Sequence, residues 1–295
     1  MDYLVEKLKN ICVLIRPHQY IKNLFIFLPL FFGGQLTNIE QLLNTCIVFV
    51  AFSFCASSIY ILNDILDIEY DRTHVTKRKR PLASGLISIL LASKVMSFLF
   101  LTGIIIVTIL NFQSAIIVGI YIVLNIGYSF YLKHISILDV TIIALGFVLR
   151  LLVGSYTTHI PLSIWIIIMT FLLALFIALA KRRDDVLLFN ETGNKMRKVV
   201  EGYNLLYLDS AMIIMASVVI VSYLLYCTST EIIKKHNGEY IYFTAIFVIL
   251  GIMRFLQNTF VEKNSGSPTI FVLKDLFMQV TIIAWIITYG IIIYL

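Results

Sequence analysis

The sequence predicts an all-α integral membrane protein, a bundle of about nine transmembrane helices. Three observations predict it. Of 295 residues, 60% are hydrophobic and only 14% charged, where a soluble domain carries roughly 25% charged residues. The apolar residues come in runs close to the ~20 that cross a hydrocarbon core as a helix. The basic residues gather in alternate loops, as the positive-inside rule requires.

The elements follow in order. Residues 1–16 carry charges throughout, with Leu4, Leu8, Ile11, Cys12 and Ile15 at helical spacing. That pattern predicts an amphipathic helix in the membrane interface, stopped near Pro17. The spans are expected at 20–35, 41–65, 87–110, 114–132, 136–156, 161–181, 208–228, 240–258 and 274–294. The first is short and contains Pro29, which predicts a tilt or kink. Residues 66–86 and 181–207 are expected as cytoplasmic loops at the site. Nothing reads as a separate soluble domain, so 1–295 is expected to be one membrane domain.

Orientation follows from charge. With the N-terminus inside, all but four of the 23 lysines and arginines fall on the cytoplasmic side or at its edge. The exceptions are Lys234 and Lys235 in an outer loop, and Lys94 and Arg150 within spans. This places the N-terminus and the polar site at the cytoplasmic face of a plasma (inner) membrane, with the C-terminus outside. The net charge of +6 is then topology and needs no nucleic-acid partner.

The chemistry concentrates after the second span, in SSIYILNDILDIEYDRTHVTKRKRPLASG. Asp64, Asp67 and Asp71 are spaced i, i+3, i+7, which puts three carboxylates on one helical stripe. Asn63 is a neighbour of Asp67 at i, i+4. Three like charges on one stripe call for something positive. An oxygen-only set suits Mg2+, held by one or two carboxylates plus substrate phosphates. The alternative is a solvated acidic helix end. Next come Lys77, Arg78, Lys79 and Arg80, either a plain topological cluster or a loop that closes over a diphosphate. Gly85 offers a turn into the third span.

Other cytoplasmic ends add Arg16, Lys22 and Asn23, then Tyr128, Lys133 and Asp139, then Lys181, Arg182, Arg183, Asp184 and Asp185. Their placement on one face points to phosphate binding. Arg150 lies deep in the fifth span. A charge there is costly and is usually paired or functional, so it reads as holding a polar head group or as capping helix ends. Cys12, Cys46, Cys55 and Cys227 form no C-x-x-C pair and read as packing. The five histidines show no ligand spacing, and no Gly-x4-Gly-Lys loop is present. A transporter is the rival for any such chain, but no inverted hydropathy repeat is visible.

The segment NDILDIEYD resembles the N-D-x-x-D-x-x-x-D signature of the UbiA superfamily of intramembrane prenyltransferases. Within it, RPHQYIKNLFIFLPLFFGG, YILNDILDIEYDRTHVTKRKRPLASG, YSFYLKHISILDVTIIALGFVLR and ALAKRRDD resemble the decaprenyl-phosphate phosphoribosyltransferase branch. The resemblance covers nearly the full length. It implies a UbiA-like bundle and transfer of the 5-phosphoribosyl group of phosphoribosyl diphosphate (PRPP) to a polyprenyl phosphate, with release of diphosphate. The product would feed lipid-linked pentose for cell-envelope glycans. It implies that Asp64, Asp67 and Asp71 hold Mg2+ and act in catalysis. Substrate contacts are expected from Lys22, Asn63, Lys77, Arg78, Arg80, Tyr128, Lys133, Arg150, Lys181, Arg182 and Asp185.

One departure is informative. The superfamily's second acidic motif, D-x-x-x-D, reads here as KRRDDVLLF, with Leu188 four residues after Asp184 and Phe189 four after Asp185. That suits a site handling extra phosphates. The alternatives are a UbiA-type transferase moving a prenyl group to an aromatic or quinone acceptor, and a non-enzymatic transporter or lipid-binding scaffold.

Overall fold

In a computed structural model, residues 2–73, 77–192, 198–236, 240–262 and 268–294 are described. Among them there are helices and no strands. Eight helices are long and apolar enough to cross a membrane: Ile39–Leu66, Ile89–Leu110, Phe112–Phe130, Leu138–Thr158, Ile164–Glu191, Leu205–Thr228, Ile241–Phe260 and Leu276–Tyr294. These match eight of the nine expected spans.

The expected first span is built differently. A 3-10 stretch, Pro17–Phe27, runs into the short helix α2, Leu28–Phe32; α1 is Asp2–Ile15. The prolines explain the break. Pro17 ends α1, and Pro29 sits in the first turn of α2, where a missing N–H costs nothing. A 3-10 residue rises about 2.0 Å and an α residue 1.5 Å, so the two pieces end to end reach about 30 Å, a full hydrocarbon core.

The chain divides into two compact units, residues 1–133 with 149–161, and residues 134–148 with 162–295. In the first, α3 (Ile39–Leu66) is the central element. Val48, Ala51, Phe52, Cys55 and Ile61 on it are fully buried. It packs on α5 (Ile89–Leu110) and α6 (Phe112–Phe130). The α3–α5 approach is close because the residues there are small: a Cβ on Gly103 would lie 2.7 Å from the Ala51 carbonyl oxygen and 2.6 Å from Cys55 Sγ. Buried Cys55 therefore packs, as expected, and Cys227 is buried too, while Cys12 and Cys46 are exposed. Asparagine or serine caps the starts of α3, α5 and α6 through Asn38, Ser88 and Asn111.

Of the apolar positions of α1, Ile11 and Ile15 pack with Leu14 against Ile61, Ile68 and Leu82. Leu8 and Cys12 stay exposed. After α3, helix α4 (Ile68–Thr73) follows a break at Asp67. The loop beyond it turns through Gly85 at φ +78°, a conformation that favours glycine.

Helix α7 (Leu138–Thr158) contributes residues to both units. The second unit also holds α8 (Ile164–Thr192), α9 (Leu205–Thr228), α10 (Thr230–His236), α11 (Ala245–Phe260), α12 (Pro268–Lys274) and α13 (Leu276–Tyr294). Its core joins Phe176, Leu179, Leu208, Met212, Phe255 and Met278. Helix α8 runs about ten residues past its expected end. The expected loop 181–207 is therefore helical to Thr192. The buried row Ala178, Arg182 and Val186 at i, i+4 spacing shows why: the arginine there is neutralised and continues the packed face.

A close approach in the first unit sets a test. A Cβ on Gly154 would lie 2.0 Å from the Ile26 carbonyl oxygen, whereas one on Gly119 meets nothing within 4 Å. Gly154→Ala should lower stability by about 1–3 kcal/mol, read as a lower melting temperature in detergent. Gly119→Ala should melt like the parent.

Candidate active site

The acidic stripe survives the helix break. Asp67 N–H donates to the Asn63 carbonyl at 3.0 Å and Asp71 N–H to the Asp67 carbonyl at 2.8 Å, so helical register carries across. Asp64 and Asp71 are buried, at 3% and 1% exposure. Two buried anions on one stripe need positive partners, and they have them. Arg80 Nη1 donates to Asp64 Oδ1 at 3.0 Å and to Asp71 Oδ2 at 2.6 Å. One guanidinium nitrogen thus bridges both carboxylates. Arg16 also hydrogen-bonds Asp64 Oδ1, with its guanidinium 5.5 Å from the centre of the Tyr60 ring. Lys77 Nζ lies 3.9 Å from Asp71 Oδ1 and 5.2 Å from the centre of the Tyr70 ring. Asp67 is more open. It accepts from Lys133 Nζ at 2.8 Å and from Asn63 Nδ2 at 3.1 Å.

Local structure sets these cations in place. Arg16 adopts a left-handed backbone (φ 58°, ψ 56°) at the joint between α1 and the 3-10 stretch. Such a non-glycine conformation costs of order 1–3 kcal/mol and persists where surroundings hold it. Arg80 sits in a loop pinned by Leu82 and Ile87, both 3% exposed, with Ile87 N–H donating to the Pro81 carbonyl at 3.0 Å. Arg78 and Lys79 point outward and are exposed. His74, Val75 and Thr76, inside the expected loop 66–86, lie outside the described residues.

A polar seam runs down α3 from this cluster. Ser53, Ser57, Tyr60 and Asp64 recur at i, i+4, i+7 and i+11, one helix face. The 3-10 stretch meets it residue by residue: Tyr20 Oη is 3.0 Å from Ser57 Oγ, and Asn23 Nδ2 donates to Ser53 Oγ at 2.8 Å. At the lower end, Arg150 is 4% exposed. Its Nε donates to Asn23 Oδ1 at 2.8 Å and its Nη2 to Tyr121 Oη at 3.2 Å. The rings of Phe52 and Tyr121 lie 5.2 and 5.0 Å from its guanidinium. Lys22, next to Asn23, is half-buried.

The expected residues of the second unit form a cluster of their own. Arg182 is fully buried, with Nε 2.5 Å from Asp139 Oδ2 and Nη1 2.6 Å from Asp185 Oδ2. Tyr203 Oη donates to Asp139 Oδ1 at 2.6 Å and accepts from Ile137 N–H at 2.6 Å. Burial, and then the Asp139 acceptor, push the Tyr203 hydroxyl well above the ordinary phenol value, so it stays a donor. Ile137 itself holds φ 73°, a rare conformation for a β-branched residue. Arg183 Nε donates to Asp209 Oδ1 at 2.6 Å, and its Nη1 to the Thr259 carbonyl at 3.0 Å. Arg182 and Arg183 thus tie helices and loops together. Lys181 is exposed and Tyr128 half-buried. Lys195 and Arg197, in the expected loop 181–207, lie outside the described residues.

The stripe suits a magnesium-like ion in kind. Its donors are all oxygen, and Asp71 Oδ1 is buried without a hydrogen-bond partner among the described residues. Among those residues, no three His, Cys, Asp or Glu side chains gather closely enough to hold one ion by themselves. Magnesium commonly takes only one or two carboxylates and completes its shell from phosphates. The aspartates fit that mode and not a closed protein cage.

Sequence reading under-weighted three groups. Arg16 reads in the sequence as one of several phosphate-binding groups, with nothing to mark it as the partner of Asp64 that it is. Ser53, Ser57 and Tyr60 went unnoticed, although their spacing back from Asp64 marks the same face. Tyr203 carried no local signal at all, because its partner Asp139 is 64 residues away.

A family model described as the UbiA prenyltransferase family matches residues 24–291. The chain belongs to the UbiA prenyltransferase family. Among UbiA relatives, the decaprenyl-phosphate phosphoribosyltransferase of Mycolicibacterium smegmatis is 32% identical, across 95% of this chain and 91% of its own. The one from Corynebacterium glutamicum is 32% identical across 92% and 83%. A solved UbiA homolog from Archaeoglobus fulgidus, bound to GPP and Mg2+, superposes with a TM-score of 0.70 at 19% identity, across 97% of this chain and 99% of its own. That likeness shows the UbiA fold.

The Arg182 cluster yields a test. Asp139→Asn removes one charge of a buried pair and should cost about 3–5 kcal/mol, read by thermal melting in detergent. Asp139→Asn with Arg182→Met should cost less than the two single changes added together, because the stranded charge is gone.

Proposed function

We propose that this UbiA-family chain transfers the 5-phosphoribosyl group of PRPP to a polyprenyl phosphate, decaprenyl or similar, and releases diphosphate. The observation that carries the reading is the stripe itself: three aspartates interleaved with Arg16, Lys77, Arg80 and Lys133. A site with that many cations suits a substrate rich in phosphate. Relatives named for this activity, about as long and 32% identical, support it. So does the stretch after Lys181, where the acidic spacing of an ordinary prenyl-diphosphate site is incomplete.

The chemistry follows from the charges. The bond between the anomeric carbon and the diphosphate oxygen breaks, and its electron pair leaves on diphosphate. A lipid phosphate oxygen forms the new bond to that carbon. The nucleophile is already an anion, so no strong base is needed, and positioning carries much of the acceleration. Asp64 and Asp71, with Asp67, would hold Mg2+, which supplies charge neutralisation on the leaving group. Arg80 and Lys77 turn from carboxylate to phosphate oxygens, Arg80 by forked contacts and Lys77 as a point charge. Lys133 does the same beside Asp67. Arg80 bridges Asp64 and Asp71, so it stands beside the carboxylates that would hold the ion and can meet the phosphate oxygens of a diphosphate there. The positive-inside pattern supports a cytoplasmic site in the inner membrane, where soluble PRPP is available, and a product that feeds cell-envelope glycans.

The test is direct. Purified protein with PRPP, polyprenyl phosphate and Mg2+ should form lipid-linked phosphoribose and diphosphate. Asp64→Asn and Asp71→Asn should each lower kcat on the order of a hundredfold or more, as loss of leaving-group stabilisation does. Prenylation of an aromatic acceptor without phosphoribosyl transfer would replace this reading with the ordinary UbiA reaction. Full function in both aspartate variants would point to a transporter or scaffold.

A further inference from the structure

Helix α1 ends at a joint where glycine is the usual residue. Arg16, directly after Ile15, holds φ 58° and ψ 56°, the left-handed conformation that closes many helix C-termini. Pro17 follows it, and a proline turns the residue before it away from the helical region. An arginine at such a position is strained where a glycine would not be. What the arginine adds is its side chain, which hydrogen-bonds Asp64 Oδ1.

One stripe of α3 holds this arginine from backbone to tip. Ser57, Tyr60 and Asp64 recur at i, i+3 and i+7, on one helix face. Ser57 takes the backbone. It is fully buried, and its hydroxyl donates to the Ile15 carbonyl at 2.8 Å. That carbonyl is an end-of-helix acceptor. The N–H that a continuing α-helix would bring to it belongs to Gln19, and that N–H donates to the Arg16 carbonyl at 2.9 Å. The single Ser57 proton is committed to a carbonyl, so Tyr20 Oη, 3.0 Å away, is the donor to Ser57. Tyr60 takes the guanidinium, 5.5 Å from its ring centre. Asp64 takes the tip.

The arginine in turn orders the carboxylate. Arg16 and Arg80 both reach Asp64 Oδ1, and Asp64 Oδ2 takes no hydrogen bond from the described residues. A hydrogen-bond partner on a metal-binding carboxylate fixes its orientation, and removing such a partner typically weakens metal binding about tenfold to a hundredfold.

We propose that Ser57 is a positioning residue for the divalent ion of this site, acting through Arg16 on the carboxylate of Asp64. Tyr20 supports it by donating to Ser57. The inference rests on the reading in which Asp64 would hold Mg2+, and adds to it a residue that touches neither ion nor substrate.

The experiment is Mn2+ binding with inorganic diphosphate, read by electron paramagnetic resonance on the purified full chain in detergent, with a melting temperature for each variant. Ser57→Ala should weaken retention of the ion roughly tenfold. Arg16→Gln should weaken it at least as much. The double variant should bind like Arg16→Gln alone, because Ser57 has no route to the ion once the arginine is gone. A purely structural loss would add instead. Tyr20→Phe keeps the bond from Ser57 to Ile15 and should lose less than Ser57→Ala. Ser58→Ala removes a buried hydroxyl that donates within its own helix, to the Cys55 carbonyl at 2.7 Å, and should bind like the parent. The proposal is overturned if Ser57→Ala binds like the parent, if its loss adds to that of Arg16→Gln, or if Ser58→Ala loses as much. Should Ser57→Ala fail to fold, Tyr20→Phe carries the same test, and a loss that persists in the Arg16→Gln background overturns the proposal. Asp64→Asn separates this inference from the reading beneath it. Binding that needs Asp64 but ignores Ser57 removes the positioning role alone. Binding by the parent no better than by Asp64→Asn removes the metal site, and the positioning role with it. None of these outcomes depends on phosphoribosyl transfer.

Discussion

A single guanidinium nitrogen shared between two buried carboxylates organises the first unit. Asp64, near the end of α3, and Asp71, in α4, are buried with almost no exposure to water. Without Arg80, only Arg16 on Asp64 and Lys77 3.9 Å from Asp71 would offset a desolvation cost of several kcal/mol for each carboxylate. With it, the pair is stable, and the loop that carries Arg80 must fold back over the end of α3. Gly85 gives that loop its turn, while Leu82 and Ile87 give it an apolar anchor. Arg16 makes the same demand on the joint before the 3-10 stretch. The architecture around the stripe is the set of backbone paths that deliver cations to it.

The same reasoning separates two kinds of arginine. Arg182 and Arg183 are ion-paired to aspartates of their own unit. These pairs join α8 to α7, α9 and α11. Arg16, Arg80 and Lys77 are paired too, but to carboxylates whose oxygens suit a metal ion. In the proposed function those carboxylates would hold the ion, and the cations beside them would meet the diphosphate.

Much of this was legible in the sequence because it is local. The eight regular spans follow from apolar run length. The stripe follows from the spacing of Asp64, Asp67 and Asp71, which helical register preserves even across the break at Asp67. Partners brought by tertiary folding were not legible. Arg150 meets Asn23 from 127 residues away, and Arg182 meets Asp139 from 43. No local pattern separates an arginine destined for a buried ion pair from one destined for phosphate. The expected first span failed to form one regular helix for a local reason, its two prolines. The long 3-10 stretch they introduce brings Tyr20 and Asn23 against the serines of α3.

In the proposed function, Arg80 and a divalent ion compete for the oxygens of Asp64 and Asp71. The most direct measurement is protein-bound Mn2+, standing in for Mg2+, in the presence and absence of PRPP, for the parent and for Arg80→Gln. The account predicts weak Mn2+ retention by the parent alone and retention raised about tenfold or more once PRPP is added. Arg80→Gln should hold the ion by itself. Equal retention by the parent with and without PRPP, unchanged in Arg80→Gln, would contradict it.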